Sequence, residues 1–397
     1  MIQTIYRGSV KDLLGPVKTK SSSEAVIFEY TDSFSVFDWG RMPDTLPKKG
    51  EALAVMAADF FERIERPETW KEFSKSAEAL EIRKANRFGA VFNELGEKLQ
   101  AEGLRTHYLG VLTEQPAVFD IKTKRLTELN KPVRHIAVKR VTAIRPAVAT
   151  VLGRSVPDYT VTRNSKPPRL VPLEVVFRFS CPPGSSLIDR VAKDPDYLLS
   201  LGVADPVVRA GQRWGFPVLE MFTKLETSDR PVSIGEALAI SGLTGDQLQT
   251  MLLKTAWLAG LLKATCAQAG LELADGKVEW GISETGDTFL VDAIGPDELR
   301  ILRNGVQLSK EFLRTFYRPT PWYSALNRAK KQAISLGTSD WKKLVSVAPP
   351  ALPQNYRELA SHLYLSLANA LAGRTWFPDA WNLDRVVSGM QGITEES

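Results

Sequence analysis

The stretch "DGKVEWG", residues 275–281, alternates Asp275, Lys277 and Glu279 with Gly276, Val278 and Trp280, so an extended chain turns all three ionisable groups to one face. A second hydrophobic run, "FLVDAIGPDELR", brings Asp292, and "SETGD" lies between the two. An even-length loop centred on Thr285 and Gly286 predicts a hairpin in which Glu279 faces Asp292 directly, with Cβ atoms about 4.5–5.5 Å apart. Opposed carboxylates repel and weaken a sheet, whereas a divalent cation between them reverses the sign of the interaction. Mg²⁺ suits such a pair, because it is commonly held by one or two carboxylates with phosphate oxygens and water. The bland alternative is a solvated hairpin whose acids pair with Lys277, and the stretch alone does not separate the two.

The chain around it is that of a globular protein large enough for two or three domains or one elaborated enzyme: 397 residues, 44% hydrophobic and 24% charged. The 51 basic and 46 acidic residues leave a net charge of +5, which fits an enzyme for anionic metabolites. There is no dense Lys/Arg run and no zinc-finger or RNA-binding signature, so nucleic acid is not an expected partner. Cys181 and Cys266 lack metal-ligand spacing and read as buried free thiols. His107, His135 and His362 are scattered singly and offer little for a triad or a zinc site. The N-terminus lacks the apolar core of a signal peptide, and no apolar run reaches membrane-spanning length. A soluble, cytoplasmic protein is expected, without membrane contact.

Residues 1–40 read as strands and turns, and "KGEALAVMAADFFERI" as a helix preceded by Gly50. Residues 68–100 read as surface helix, "HIAVKRVTAI" and "LVPLEVVFRF" as strands, and residues 146–169 as a long loop or hinge rich in Pro, Ser and Arg. Thr244 and Gln247 form a capping box for a helix running to about Gly270. Beyond residue 308 helices alternate with proline breaks. The pattern is α+β, divided into a β-rich lobe with an inserted central segment, residues 1–169, and an α+β lobe with a helical tail, residues 170–397.

If the acids hold a metal, phosphate donors should accompany them. In "YRGSVKD" Gly8 allows close backbone approach and Lys11 can act as a point charge on phosphate. "PLEVVFRF" carries Glu174 and Arg178 on one strand face, "CPPGSS" offers Gly184 and Ser185, "FTKLETSDR" supplies Lys224, and Arg300 follows "GPDE". Each taken singly is more often structural than functional.

In this order, "YRGSVKD", "TDSFSVFDWG" with "PKKG", "VPLEVVFR", "GSS", "FTKLETSDR", "DGKVEWG" and "VDAIGPDELR" resemble the SAICAR synthetase family, from residue 6 to about residue 310. The segment from about 113 to 168 is longer than in compact members, and the tail resembles the family less. The resemblance implies a two-lobed fold, with an N-terminal antiparallel sheet like the small lobe of kinases, a larger α+β lobe, and ATP between them. It implies a ligase reaction of purine biosynthesis: ATP phosphorylates carboxyaminoimidazole ribonucleotide, and L-aspartate displaces the phosphate to give SAICAR. It further implies that Tyr6, Arg7, Gly8, Ser9, Val10 and Lys11 hold ATP phosphates with Lys224, that Leu170 lines the adenine pocket, and that Glu279 and Asp292 hold Mg²⁺. Glu174, Arg178, Gly184, Ser185 and Arg300 match substrate-binding positions, and Lys11, Lys224, Asp275 and Lys277 fall at the reaction centre. "SVFDWG" borders the substrate, with no role given to Asp38 or Lys49.

Such chemistry needs positioning, lysines and metal rather than a protein nucleophile, together with a lid or lobe closure against water. Two rivals remain. A small-molecule kinase would share lobes, lysines and metal, but no H-R-D-type loop is present. A non-catalytic nucleotide- or RNA-binding module would have little reason to keep opposed acids. Assembly into a homo-oligomer is compatible with the sequence but not specified by it.

Overall fold

The computed structural model describes residues 2–114, 120–203, 207–226, 228–336 and 340–395. Part of the long central segment (115–119) and Thr227 of "FTKLETSDR" thus lie outside the described residues. The N-terminal sheet comprises β1 (Gln3–Arg7), β2 (Lys11–Thr19), β3 (Ser22–Tyr30), β4 (Tyr108–Leu112) and β5 (His135–Lys139). Its order is β1-β2-β3-β5-β4, antiparallel throughout. Between β3 and β4 the chain leaves this sheet for α1 (Lys49–Glu65), α2 (Pro67–Phe73), α3 (Ala77–Ala85) and α4 (Ala90–Glu102).

Helix α1 begins one residue earlier than Gly50. Gly50 lies in its first turn because a Cβ there would stand 2.5 Å from the Tyr30 carbonyl oxygen. The freed Gly50 N–H donates to Asp32 Oδ1 at 3.0 Å, satisfying one of the helix's orphan donors.

The expected loop at 146–169 is instead the hairpin β6 (Ala147–Val151) and β7 (Arg154–Asp158), followed by the short α5 (Thr160–Asn164). Leu152 and Gly153, at φ 48° and 74°, form its turn. Both central residues of a type I′ turn need positive φ, and the β-branched Val148, Thr150, Val151 and Val156 suit the strands better than the Pro and Ser content suggests.

The second sheet is built on β8 (Arg169–Ser180), with β9 (Arg213–Thr223), β10 (Pro231–Val232), β11 (Glu272–Ile282), β12 (Thr288–Val291), β13 (Leu299–Arg303) and β14 (Val306–Gln307). Its order is β10-β9-β8-β11-β13-β14, and β12 flanks the C-terminal half of β11. The helices of this half are α6 (Ser186–Lys193), α7 (Tyr197–Ser200), α8 (Ile234–Ser241) and α9 (Gly245–Gln268), then α10 (Glu311–Tyr317), α11 (Pro321–Leu336), α12 (Gln354–Ala372) and α13 (Leu383–Glu395).

The expected capping box starts α9: Thr244 Oγ1 accepts from Gln247 N at 3.2 Å, and Gln247 Oε1 from Thr244 N at 2.9 Å. Helix α9 is the core of the larger half. Phe92 of α4 stacks on its Trp257 with centroids 4.6 Å apart, and Trp280 of β11 donates to its Thr255 hydroxyl at 3.1 Å. One hydrophobic cluster runs from Val26 and Tyr30 of β3 through α1 and α9 to α12, so both sheets share a core. Arg63 of α1 donates to the Leu371 and Ala372 carbonyl oxygens at 3.2 and 3.0 Å, capping the end of α12. Among the described residues no helix is long and apolar enough to cross a membrane, and both cysteines are buried free thiols.

Candidate active site

The hairpin that opened the reading differs in register from the expectation. Glu279 pairs with Val291, Trp280 with Leu290 and Ile282 with Thr288, so Asp292 is not opposite Glu279. The loop is odd-length: Ser283 N donates to Asp287 O, and Gly286 at φ 83° donates to Ser283 O, leaving Glu284, Thr285 and Gly286 as a three-residue turn. A one-residue slip ordinarily sends the next side chain to the other face. Asp292 escapes that outcome by leaving the ladder at φ 67°, a left-handed conformation uncommon outside glycine.

Its carboxylate forms an ion pair with Lys11, whose ammonium also lies 4.4 Å from the Phe28 ring centre. Burial acts to raise the Asp292 pKa, but Lys11 outweighs it and holds the carboxyl at about 2. Glu279 shows the opposite outcome: burial first, then the charge of Asp292, pushes it up to about 7. The two acids therefore sense each other despite the changed register. His107 anchors the bend, its Nε2 lying 3.0 Å from the Asp292 carbonyl oxygen; burial lowers its pKa to about 3, so the ring is neutral.

Along the same face, Lys224 on the strand-end segment after β9 bridges Glu174 and Glu279, the latter at 2.9 Å, and Lys277 reaches Glu174 at 2.8 Å. Burial acts against charge on Lys224, yet Glu279 and Glu174 overcome it and raise its pKa. Glu174 faces Glu279 across β8–β11, so these two acids are the true cross-strand pair of the site. Register with β8, not with β12, decides which carboxylates oppose.

Four residues toward the start of β11 the character changes. Arg178 is clasped between Glu220 and Asp275, with Asp275 Oδ2 3.0 Å from Nη1, and Arg300 Nε stands 3.5 Å from Asp275 Oδ1. Glu220, fully buried, also receives Arg190 of α6 at 2.7 Å and the Tyr197 hydroxyl at 2.8 Å. Ser185 sits at the head of α6, where its hydroxyl accepts from Leu187 N, while Gly184 is open at φ 75°. Two arginines and a helix start thus gather around one end of the strand.

The Tyr6–Val10 turn completes the set. Gly8 N donates to Lys11 O at 3.1 Å, and a Cβ on Gly8 would lie 2.4 Å from that oxygen. We expect Gly8→Ala to deform this turn and weaken nucleotide binding about tenfold, at little cost in thermal stability, measurable by nucleotide titration beside a melting curve. Arg41 braces the turn from below, donating from Nε to Gly8 O at 3.0 Å. Leu170 lies in β8 opposite Gly281, its N–H bonded to Thr142 O at 2.9 Å.

An open, polar cleft of about 630 Å³ runs from this turn past Lys277 to Asp297, Glu298 and Lys310. Residues with no role assigned from the sequence line it or lie behind it. Lys49, wholly buried, pairs with Asp297 at 3.3 Å, and Asp297 also accepts from the Tyr364 hydroxyl at 2.8 Å. Both "PKKG" and "GPDE" are visible in the sequence, but nothing in either signals a partner 248 residues away. Glu298 was equally unmarked; burial, then the charges of Asp297 and Asp292, pushes its carboxyl up to about 7.

Lysines beside an acid pair stand at one end of a strand and arginines at the other, an arrangement expected of an enzyme for phosphorylated ligands. Comparison with known proteins specifies it further. The sequence profile of the SAICAR synthetase family matches residues 4–329, and the chain belongs to that family. An Archaeoglobus fulgidus protein named "Putative phosphoribosylaminoimidazole-succinocarboxamide synthase" is 32% identical over 98% of this chain and 100% of its own length. The phosphoribosylaminoimidazole-succinocarboxamide synthase of Thermoplasma acidophilum is 27% identical over 94% of this chain and 100% of its own. In fold, the chain is similar to the SAICAR synthase of Saccharomyces cerevisiae, with a TM-score of 0.55 at 18% identity over 94% of this chain and 96% of that one.

Proposed function

We propose that this chain joins carboxyaminoimidazole ribonucleotide to L-aspartate at the expense of ATP, yielding SAICAR, ADP and phosphate, in the cytoplasm. The observation that carries the reading is the placement of both charge clusters on β11: acids with Lys11, Lys224 and Lys277 toward its end, and Asp275 with Arg178 and Arg300 toward its start. One strand then measures out the reaction, with ATP at one end, the phosphate of the ribonucleotide at the other, and the reacting carboxylate between them.

In this assignment the Tyr6–Val10 turn, Lys11 and Lys224 hold the ATP phosphates, and Leu170 packs on the adenine. Arg178 and Arg300, with Gly184 and Ser185 at the head of α6, hold the ribonucleotide phosphate; Glu220 and Asp275 fix the Arg178 guanidinium through Nε and Nη1. Glu174, Asp275 and Lys277 border the reacting carboxylate, with Lys277 positioned to neutralise charge as phosphoryl transfer proceeds.

The donors present fit Mg²⁺. Glu279 and Asp292 are hard oxygen ligands whose mutual repulsion a dication removes, and no cluster of three potential ligands occurs among the described residues. Two carboxylates with phosphate oxygens and water is the shell Mg²⁺ commonly takes. When bound at Glu279 and Asp292, the metal would supply charge neutralisation to the triphosphate. Lys11 and Lys224 now occupy these acids and are the same ammonium groups that would meet the triphosphate, so ligand entry exchanges one set of ion pairs for another.

The carboxylate oxygen of the ribonucleotide attacks the γ-phosphorus and ADP departs. The amine of aspartate then attacks the acyl carbon and phosphate leaves. No side-chain nucleophile is required, in keeping with buried cysteines and a neutral, structurally engaged His107. The test is product analysis with ribonucleotide and ATP, with and without aspartate. Aspartate-dependent amide and stoichiometric ADP are expected; a phosphorylated product made equally well without aspartate would instead identify a kinase.

A further inference from the structure

Most charges that line the cleft are already matched. Lys277 pairs with Glu174, Asp297 with Lys49, Arg314 with Glu311, Arg41 with Asp12 and Asp38 with Lys330. Among the described residues, the cleft charges without a side-chain hydrogen bond or ion pair are Arg7, Glu298, Lys310 and Lys342; of these, Glu298 and Lys310 lie within electrostatic reach of Asp297 and of each other. Lys310 is half-buried at the start of α10, and Glu298 is half-buried just before β13. An unmatched cation beside an unmatched carboxylate complements a ligand that carries both charges, as an amino acid does.

Their position along the sheet points the same way. Lys277 N donates to Glu298 O at 3.0 Å, so the two residues lie abreast on neighbouring strands. Each is two residues from the phosphate end, Lys277 from Asp275 and Glu298 from Arg300, or about 6–7 Å along the sheet. Each also lies on the side of Glu279 and Asp292, where the triphosphate is assigned. Glu298 therefore stands beside the point assigned to the acyl phosphate, with Lys310 lining the same cleft within electrostatic reach.

Resting on the ligase reading above, we propose that Glu298 and Lys310 form the L-aspartate site, Glu298 receiving the ammonium and Lys310 a carboxylate. For attack, one ammonium proton passes to the Glu298 carboxylate. The nitrogen lone pair then forms the C–N bond at the acyl carbon as the C–O bond to phosphate breaks. The phosphate leaves with that electron pair, and the second N–H proton leaves with it.

Initial rates of the full chain, with aspartate varied at saturating ATP and ribonucleotide, test this. Lys310→Met and Glu298→Gln should each raise the KM for aspartate at least about tenfold, the loss expected for a hydrogen bond to a charged group. The KM values for ATP and ribonucleotide should hold within about twofold, and Lys310→Arg should recover most of the loss. Hydroxylamine, a small uncharged nucleophile, should still trap the acyl phosphate and drive ADP release in both variants. An unchanged KM for aspartate, or equal losses with aspartate and hydroxylamine, overturns the assignment. Absence of aspartate-dependent amide in the unmutated chain instead overturns the reading on which it rests.

Discussion

Replacement of Asp292 by Asn is expected to lower kcat by about 10²–10³-fold even at saturating Mg²⁺, the scale on which one electrostatic partner of a transition state counts. The exchange keeps shape and removes one charge. Asn tolerates left-handed φ as well as Asp does, so the 67° bend survives. The Lys11 ammonium, at 21% side-chain exposure, is not stranded in the interior by the loss of its partner. Folding should therefore be little affected, and the deficit should appear in turnover rather than in the melting temperature. Near-normal kcat at high Mg²⁺ would remove Asp292 from the metal site and with it the phosphoryl-transfer assignment.

Arg178→Met should show the opposite balance, with damage to both stability and binding. Arg178 is 6% exposed, and Glu220 and Asp275 beside it are 0% and 11% exposed, so deleting the cation leaves two buried carboxylates short of a partner. Breaking a buried pair from one side costs about 3–5 kcal/mol, which a shift of the urea midpoint at constant m-value would register. Arg190 and Tyr197 remain on Glu220, and Arg300 near Asp275, so the loss should stay toward the lower end of that range. In whatever enzyme remains folded, the KM for the ribonucleotide should rise far more than that for ATP. A variant as stable as the natural chain with unchanged ribonucleotide KM would deny Arg178 both roles.

What could be read from the sequence was what depends on local pattern. The Thr244–Gln247 capping box and the apolar spacing of α1 are satisfied within a turn or two, and both elements stand where expected. The gathering of Lys11, Lys224, Glu279 and Asp292 followed from a family resemblance, and the structure brings these four side chains together. Their geometry was less accessible. "SETGD" admits a two- or three-residue turn, and that single difference moved Asp292 out of register with Glu279. Composition misled at 146–169, where Pro and Ser suggested a loop and β-branched residues built a hairpin. The Lys49–Asp297 contact had no local signature, since its two residues are 248 apart in the chain and neither segment encodes the other. Glu298 and Lys310 acquire meaning only once their neighbours are seen to be paired.

Helix α1 ties the two halves together. It packs against β3 of the N-terminal sheet and against α12, and is fastened at its head by Lys49 to Asp297 and near its tail by Arg63 to the final carbonyls of α12. Any opening of one half away from the other would have to break the Lys49–Asp297 pair or the Arg63 bonds to α12. The Tyr6–Val10 turn lines the same cleft as Asp297 and is held by the Arg41 bond to the Gly8 carbonyl oxygen.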